Sequence, residues 1–251
     1  VNHASSQLLA HSDRISQSLV SSVPELLGIC LFGSVARGTA TQTSDIDLLV
    51  VTTNPGLTPS DIRRHLPVDL GQTPLSLACH TPESLERYLH RWSRFAAHLR
   101  REGKVLFERD AALSGLLAHE VPISTREELR AQRRHLRNYE HPERFGNRFL
   151  FPLASLYRIG RATTFAILAE RAILRFDADQ AFSDLSDLYP DRAADVRSIR
   201  RLKPFHDLVT RRGTDSALPF EPTDCVGEVV QARQAIERLL SLSRRQDELA
   251  A

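Results

Sequence analysis

The segment LFGSVARGTATQTSDIDLLVV, Leu31 to Val51, holds the residues best suited to chemistry. Asp45 and Asp47 are separated by one residue at the start of an apolar run. Side chains alternate along a strand, so the two carboxylates are expected on one face about 7 Å apart, with Ile46 turned the other way. Two like charges held together at the start of an apolar strand are costly unless a cation neutralises them. Mg²⁺ takes one or two carboxylates together with substrate phosphates, so the pair suits a metal and nucleotide site. Gly33 lets the backbone pass close to a ligand, and Ser34 is expected at the N-terminus of a short helix, where free N–H groups favour a phosphate. These parts would hold a triphosphate by its outer phosphates, place the metal at the α-phosphate and support in-line attack by a hydroxyl. Gly-Ser after a strand and Asp-x-Asp at a strand end are each common alone. Their combination between two apolar strands carries the reading.

Other residues are less specific. Arg37 has two readings, a phosphate contact or a surface arginine. His80 ends a predicted strand, and a structural histidine is the more ordinary reading than a cleft residue. Trp92 and its aromatic neighbours recur at helical spacing and are expected in a core. The cluster RRHLRNYEHPERFGNR, Arg133 to Arg148, interleaves basic residues with Tyr139 and Phe145 and suits either an RNA or triphosphate contact or a salt-bridged surface. Cys30, Cys79 and Cys225 have no metal-ligand spacing and read as reduced thiols.

The elements that must position the carboxylates follow from periodicity. Gln7 to Val20 reads as a helix, LLGICLF (Leu26 to Phe32) as a buried strand and DIDLLVVTT as a second strand. A short helix is expected from Pro59 to Leu66, opened by Thr58 or Ser60. Two candidates compete for the third strand: PLSLACH (Pro74 to His80), the longer and favoured one, and VDL (Val68 to Leu70), with Gly71 to Thr73 as a turn between them. One helix opened by Thr81-Pro82 is expected to run to Gly103, followed by the strand KVLFE. Beyond Asp110 the pattern is helical, over Ser124 to Tyr139, Leu150 to Arg175, Asp179 to Leu188, Arg192 to Thr210 and Val226 to Leu249. The expected fold class is α+β, with a boundary in HEVPIST and domains at 1–118 and 119–251.

Composition sets the limits. The chain has 251 residues, 41% hydrophobic and 25% charged, as in ordinary globular domains. No apolar run approaches a bilayer span, so no membrane partner is expected. The first residues, VNHASSQLLAHSD, lack the order of a signal peptide, and a cytoplasmic location is expected. A net charge of +2 compels no nucleic-acid partner. Of the 33 basic residues only Lys104 and Lys203 are lysines, an arginine bias that suits phosphate binding but follows equally from codon usage.

GSVARGTATQTSDIDLLVV resembles the signature of the DNA-polymerase-beta nucleotidyltransferase superfamily, Gly-Ser followed by a turn and Asp-x-Asp. It is similar in particular to minimal bacterial and aminoglycoside nucleotidyltransferases, and REGKVLFE (Arg101 to Glu108) is similar to the segment that closes the minimal domain. The resemblance implies a mixed sheet with flanking helices, two-metal catalysis and transfer of a nucleoside monophosphate from an NTP, with ATP expected, to a hydroxyl of a small molecule, a protein or an RNA. It assigns Gly33 and Ser34 to the nucleotide and Asp45 and Asp47 to the metal, while Arg37 stays a candidate nucleotide contact by its place in SVARG alone. Members usually carry a third carboxylate on a later strand. TPLSLACH has Ser76 and no acid, whereas VDL would supply Asp69, which is therefore the expected third catalytic carboxylate. Without it, the chain would be a degenerate nucleotide-binding or toxin–antitoxin-type partner. The helical half is expected to shape the acceptor site. An RNA-cutting helical domain is a third possibility, since Arg130 with His135 and Arg201 with His206 have the spacing of such pairs.

Overall fold

The computed structural model describes residues 3–42, 44–70, 74–91, 93–119, 122–210 and 218–249. The chain divides into two compact units, Val1–Ile123 and Ser124–Ala251.

In the first unit, α1 (His3–Ser22), β1 (Leu26–Phe32), α2 (Gly33–Arg37), β2 (Ile46–Thr52) and α3 (Pro59–Arg64) are followed by β3 (Leu75–His80), α4 (Pro82–Arg91), α5 (Ser93–Glu102), β4 (Lys104–Glu108) and α6 (Ala112–Ala118). The sheet is mixed, in the order β3-β2-β1-β4. β1 runs antiparallel to β2 and β4, and β2 runs parallel to β3. The two central strands are covered on both faces, which is why their sequences are almost continuously apolar. One face packs Ile46, Leu48 and Val50 against Ile15 and Leu19 of α1, Val35 of α2 and Ile62 of α3. The other packs Cys30, Leu49 and Val51 against Leu85 and Leu89 of α4, Leu99 of α5 and Leu113 of α6. A slip of β2 by one residue would exchange these faces. Each buried aliphatic side chain contributes about 1.5–3 kcal/mol, so the register is strongly fixed.

Local chemistry explains the helix ends. Thr58 and Asp61 form a reciprocal capping box with Pro59 in the first turn of α3. VDL is not a strand: Leu70 N–H donates to the Pro67 carbonyl at 2.9 Å, and Val68–Leu70 form a 3-10 turn. The stretch expected as one helix after Pro82 is helical over Pro82–Arg91 and Ser93–Glu102. Gly71 to Thr73 and Trp92 lie outside the described residues. Cys30, Cys79 and Cys225 are free thiols, and burial pushes Cys30 up to about 12.

The second unit is helical: α7 (Thr125–Leu136), α8 (Leu150–Glu170), α9 (Ala178–Leu188), α10 (Ala193–Arg200), α11 (Lys203–Thr210) and α12 (Val226–Leu249). α8 is its axis, with Leu153, Leu156, Ile159, Ile167 and Leu168 buried. Gly160 allows α10 to approach, since a Cβ there would lie 2.5 Å from Cγ2 of Ile199. The buried Asp195 accepts from Arg238 Nε at 2.9 Å and Nη2 at 2.6 Å. The helix expected over 192–210 is divided, because Pro204 has no N–H to continue the ladder. Among the described residues, no helix is long and apolar enough to cross a membrane.

Candidate active site

β1 delivers the chain to the site. Its last residue, Phe32, faces Asp47 across the antiparallel ladder. Gly33 follows with φ +75° and opens α2. A Cβ on Gly33 would sit 2.1 Å from Oδ2 of Asp47 and 3.0 Å from its Cγ. Glycine is thus required twice, by the positive φ and by the carboxylate lying over its backbone. Ser34 lends its carbonyl to the N–H of Thr39 at 3.0 Å, while its hydroxyl makes no hydrogen bond to a described residue.

The connection from α2 to β2 is tied down at several points. Gly38 ends α2 in the left-handed region, at φ 78°. Ala40 N–H donates to Ser5 Oγ of α1 at 2.9 Å, and Thr41 N–H donates to Ser44 Oγ at 2.9 Å. Ser44 N–H returns to the Thr41 carbonyl at 3.1 Å. This closed turn leads directly into Asp45, half-buried at the mouth of β2, then buried Ile46 and half-buried Asp47. Asp47 shares strand parity with Leu49 and Val51 and so belongs to the α4–α5 face. Asp45 and Asp47 offer hard carboxylate oxygens of the kind Mg²⁺ takes together with phosphates and water. Among the described residues, no set of three or more His, Cys, Asp or Glu side chains forms a metal-binding group.

The third strand is LSLACH and not VDL. β3 pairs with β2 so that Ser76 stands beside Asp47 and Leu75 beside Ile46. Ser76 is exposed and shares parity with Ala78, which packs on the α4–α5 face. Asp69 sits in the 3-10 turn, next to Leu70, which packs with α1 and α3 on the opposite face. Its Oδ2 accepts from Arg14 Nη2 of α1 at 2.7 Å, and that hydrogen bond holds the carboxyl below its ordinary value. The structure therefore sets Gly33 and Ser76 beside Asp47, with Ser34 and Asp45 next to them in sequence, and leaves Asp69 in a surface ion pair.

Arg37 is engaged within the fold. Its Nη1 donates to Oε2 of Glu102 on α5 at 2.9 Å, and the same oxygen lies 3.1 Å from His98 Nε2. Burial lowers the pKa of His98, against the opposing pull of Glu102. The pattern of α5 as an amphipathic helix gave no sign of this cluster, because Glu102 and His98 meet Arg37 only through the fold. A row of rings crosses the same face: Phe32 lies 5.3 Å from Phe95 and 5.9 Å from His98, and Phe95 lies 5.6 Å from Tyr88. Tyr88 in turn lies 4.9 Å from His80. His80 pairs with Val51, at the far end of β2 from the carboxylates, beside a cavity of about 170 Å³. In the helical unit, Arg201 lies over Phe220 and pairs with Glu228, whereas His206 packs on Tyr157.

Residues 15–112 match the family model for polymerase beta nucleotidyltransferases. The chain carries a polymerase beta nucleotidyltransferase domain. The matched span contains both carboxylates, Gly33, Ser34 and Ser76. Among solved structures, spectinomycin adenyltransferase AAD(9) from Enterococcus faecialis, with ATP and spectinomycin, is 13% identical and aligns over 91% of this chain and 99% of its own, with a TM-score of 0.52. That likeness extends the shared fold through the helical region. A toxin–antitoxin protein with AMP-PNP is 22% identical over 51% of this chain and 95% of its own, at a TM-score of 0.33. A nucleotidyltransferase-like protein from Exiguobacterium sibiricum is 16% identical over 92% of this chain and 74% of its own, at 0.34. No curated protein matches the chain in sequence.

Proposed function

We propose that the first unit binds a nucleoside triphosphate with Mg²⁺ on Asp45 and Asp47 and transfers its nucleoside monophosphate to a hydroxyl acceptor. The observation that supports this most is the Asp47 carboxylate lying over Gly33, in the family's Gly-Ser and Asp-x-Asp arrangement. ATP is the first donor to test, and a small hydroxylated molecule is one acceptor class, since the adenyltransferase of the same fold was captured with ATP and spectinomycin. We assign transfer to residues 1–123 and acceptor selection to residues 124–251.

A bound divalent cation would stabilise negative charge on the α-phosphate as a Lewis acid. The chain's own groups do the rest. Gly33 leaves the backbone open to the phosphates, and the Ser34 hydroxyl is there to donate to one of them. Arg37 fixes α2 to α5 through Glu102. The acceptor oxygen attacks the α-phosphorus, the α–β P–O bond breaks, pyrophosphate leaves and the hydroxyl proton must be taken up. Ser76 bears on that last event, because a serine hydroxyl is no general base at neutral pH. The proton then passes to one of the two aspartates or to water, and transfer is slow compared with the same site holding an acid at 76.

Ser76 also favours a second reading, a domain that binds the nucleotide without turning it over. Calorimetry with ATP and GTP, with and without Mg²⁺, tests binding, and mass spectrometry after incubation with NTP, Mg²⁺ and a cell extract tests transfer. Mg²⁺-dependent binding with a mass increase of one nucleotide on some acceptor supports transfer. Binding without any modified acceptor supports the second reading, and equal affinity in EDTA removes the metal assignment.

A further inference from the structure

The segment Arg133 to Arg148 lines a cavity of about 400 Å³, open to solvent, whose walls include Asn138, Tyr139, Arg144, Phe145, Arg148 and Phe151. All of these belong to the helical unit. The rings are set by packing: Phe145 is held edge-on to the buried Phe149 at 6.3 Å, and Tyr139 is tilted against Phe145 at 5.8 Å. Phe151, in the first turn of α8, is 68% exposed and is the one exposed phenylalanine or tyrosine among the described residues. A ring kept out of the core beside a cavity does no folding work there.

The charge around the rings is unspent. Arg144 and Arg148 are exposed, and neither guanidinium has a hydrogen bond or ion pair with a described residue. Arg133, by contrast, donates to the Leu240 carbonyl at 2.8 Å, and Glu143, the acid next to Arg144, is taken by His141 at 3.3 Å. α8 itself opens without a side-chain cap and without an acid in its first turn. Flat rings beside unpaired guanidinium groups suit a planar base flanked by phosphates.

We propose that this cavity binds single-stranded nucleic acid, with one unstacked base against Tyr139 and Phe151 and the flanking phosphates on Arg144 and Arg148. A strand fits better than a free nucleotide. Small-molecule sites enclose most of their ligand, whereas this cavity leaves its rim ring in water, and exposed Arg134 and Arg137 extend the basic row for further phosphates. The proposal stands apart from the assignment of Asp45 and Asp47.

The test is fluorescence anisotropy of the full chain with a labelled single-stranded RNA of about twelve nucleotides, at rising salt. The wild type binds. Arg144→Ala with Arg148→Ala weakens binding about tenfold or more and lowers the slope of log K against log salt by about 1.4, roughly 0.7 for each lost phosphate contact on a single strand. Phe151→Ala weakens binding about tenfold, the size of one lost base–ring stack. All three side chains are exposed, so unchanged melting temperatures accompany these losses. Asp45→Asn with Asp47→Asn binds the RNA as wild type does. No binding by the wild type, or an unchanged slope in the double arginine variant, overturns the proposal. So does full displacement by AMP at an equal nucleotide concentration, which marks a mononucleotide pocket.

Discussion

The two faces of the N-terminal sheet treat an aspartate in opposite ways. On the α4–α5 face, Asp47 is half-buried, lies over Gly33 and has Ser76 beside it in register. On the α1–α3 face, Asp69 is 61% exposed and spends its charge on Arg14. Both acids flank apolar strands, and both would serve as ligands on composition alone. Strand parity and register decide the difference. A carboxylate joins the site only when the alternation of β2 or β3 points it to the face that Gly33 leaves open.

The strongest way to break this comparison is to close the space that distinguishes the first face. Gly33→Ala forces a Cβ onto the Asp47 carboxylate and places alanine at φ +75°. Such a backbone position costs about 1–3 kcal/mol where a side chain must adopt it. The expected outcome is loss of Mg²⁺-dependent nucleotide binding by about a hundredfold or more in calorimetry, with a lower melting temperature. ATP affinity equal to wild type would mean that Asp47 has no part in the site.

Removing the charges rather than the space separates function from folding. Asp45→Asn together with Asp47→Asn is expected to abolish Mg²⁺-dependent binding while the melting temperature in the absence of ligand holds or rises, because paired functional carboxylates cost stability when no cation is bound. A large fall in melting temperature would make the two aspartates structural.

The comparison sharpens at Ser76. General-base catalysis contributes about 10²–10⁴-fold, so Ser76→Glu, which puts an acid beside Asp47, is expected to raise the transfer rate about tenfold or more. The change should appear in kcat rather than KM, read from pyrophosphate release. If Ser76→Glu leaves kcat unchanged, the proton leaves by a route that does not use this position.

What the sequence made legible follows the same division between local and non-local information. Alternation and apolar runs mark β1, β2 and β4, and the order Gly33, Asp45, Asp47 lies within one β-turn-β segment, so short-range pattern suffices. The neighbour of Asp47 on β3 depends on how two strands about thirty residues apart are aligned, which no local pattern carries. An acid in VDL then draws attention away from the serine in LSLACH. The contact of Arg37 with Glu102 is hidden for the same reason. α6 was not expected: Asp110 and Ala111 precede it at φ 54° and 53°, and Gly115 lowers its helix propensity. The division at Pro204 was legible but outweighed by apolar periodicity on both sides.

The smallest expected effect lies on the other face. If Asp69 is only a surface partner of Arg14, Asp69→Asn leaves nucleotide binding and transfer at wild-type levels, and the melting temperature moves little, as for most exposed ion pairs. The pH dependence gives this a sign. The hydrogen bond from Arg14 lowers the folded-state pKa of Asp69 below the unfolded value of 3.8. The unfolded chain then binds more protons in that window, so the pair's contribution is fully present above 3.8 and fades as pH falls through the folded value. The melting-temperature difference between wild type and Asp69→Asn should therefore be the same at all pH values well above 3.8 and shrink below it. A loss of transfer in Asp69→Asn at neutral pH, with the melting temperature intact, would place this carboxylate in the reaction despite its face, and the contrast between the two sides of the sheet would fall.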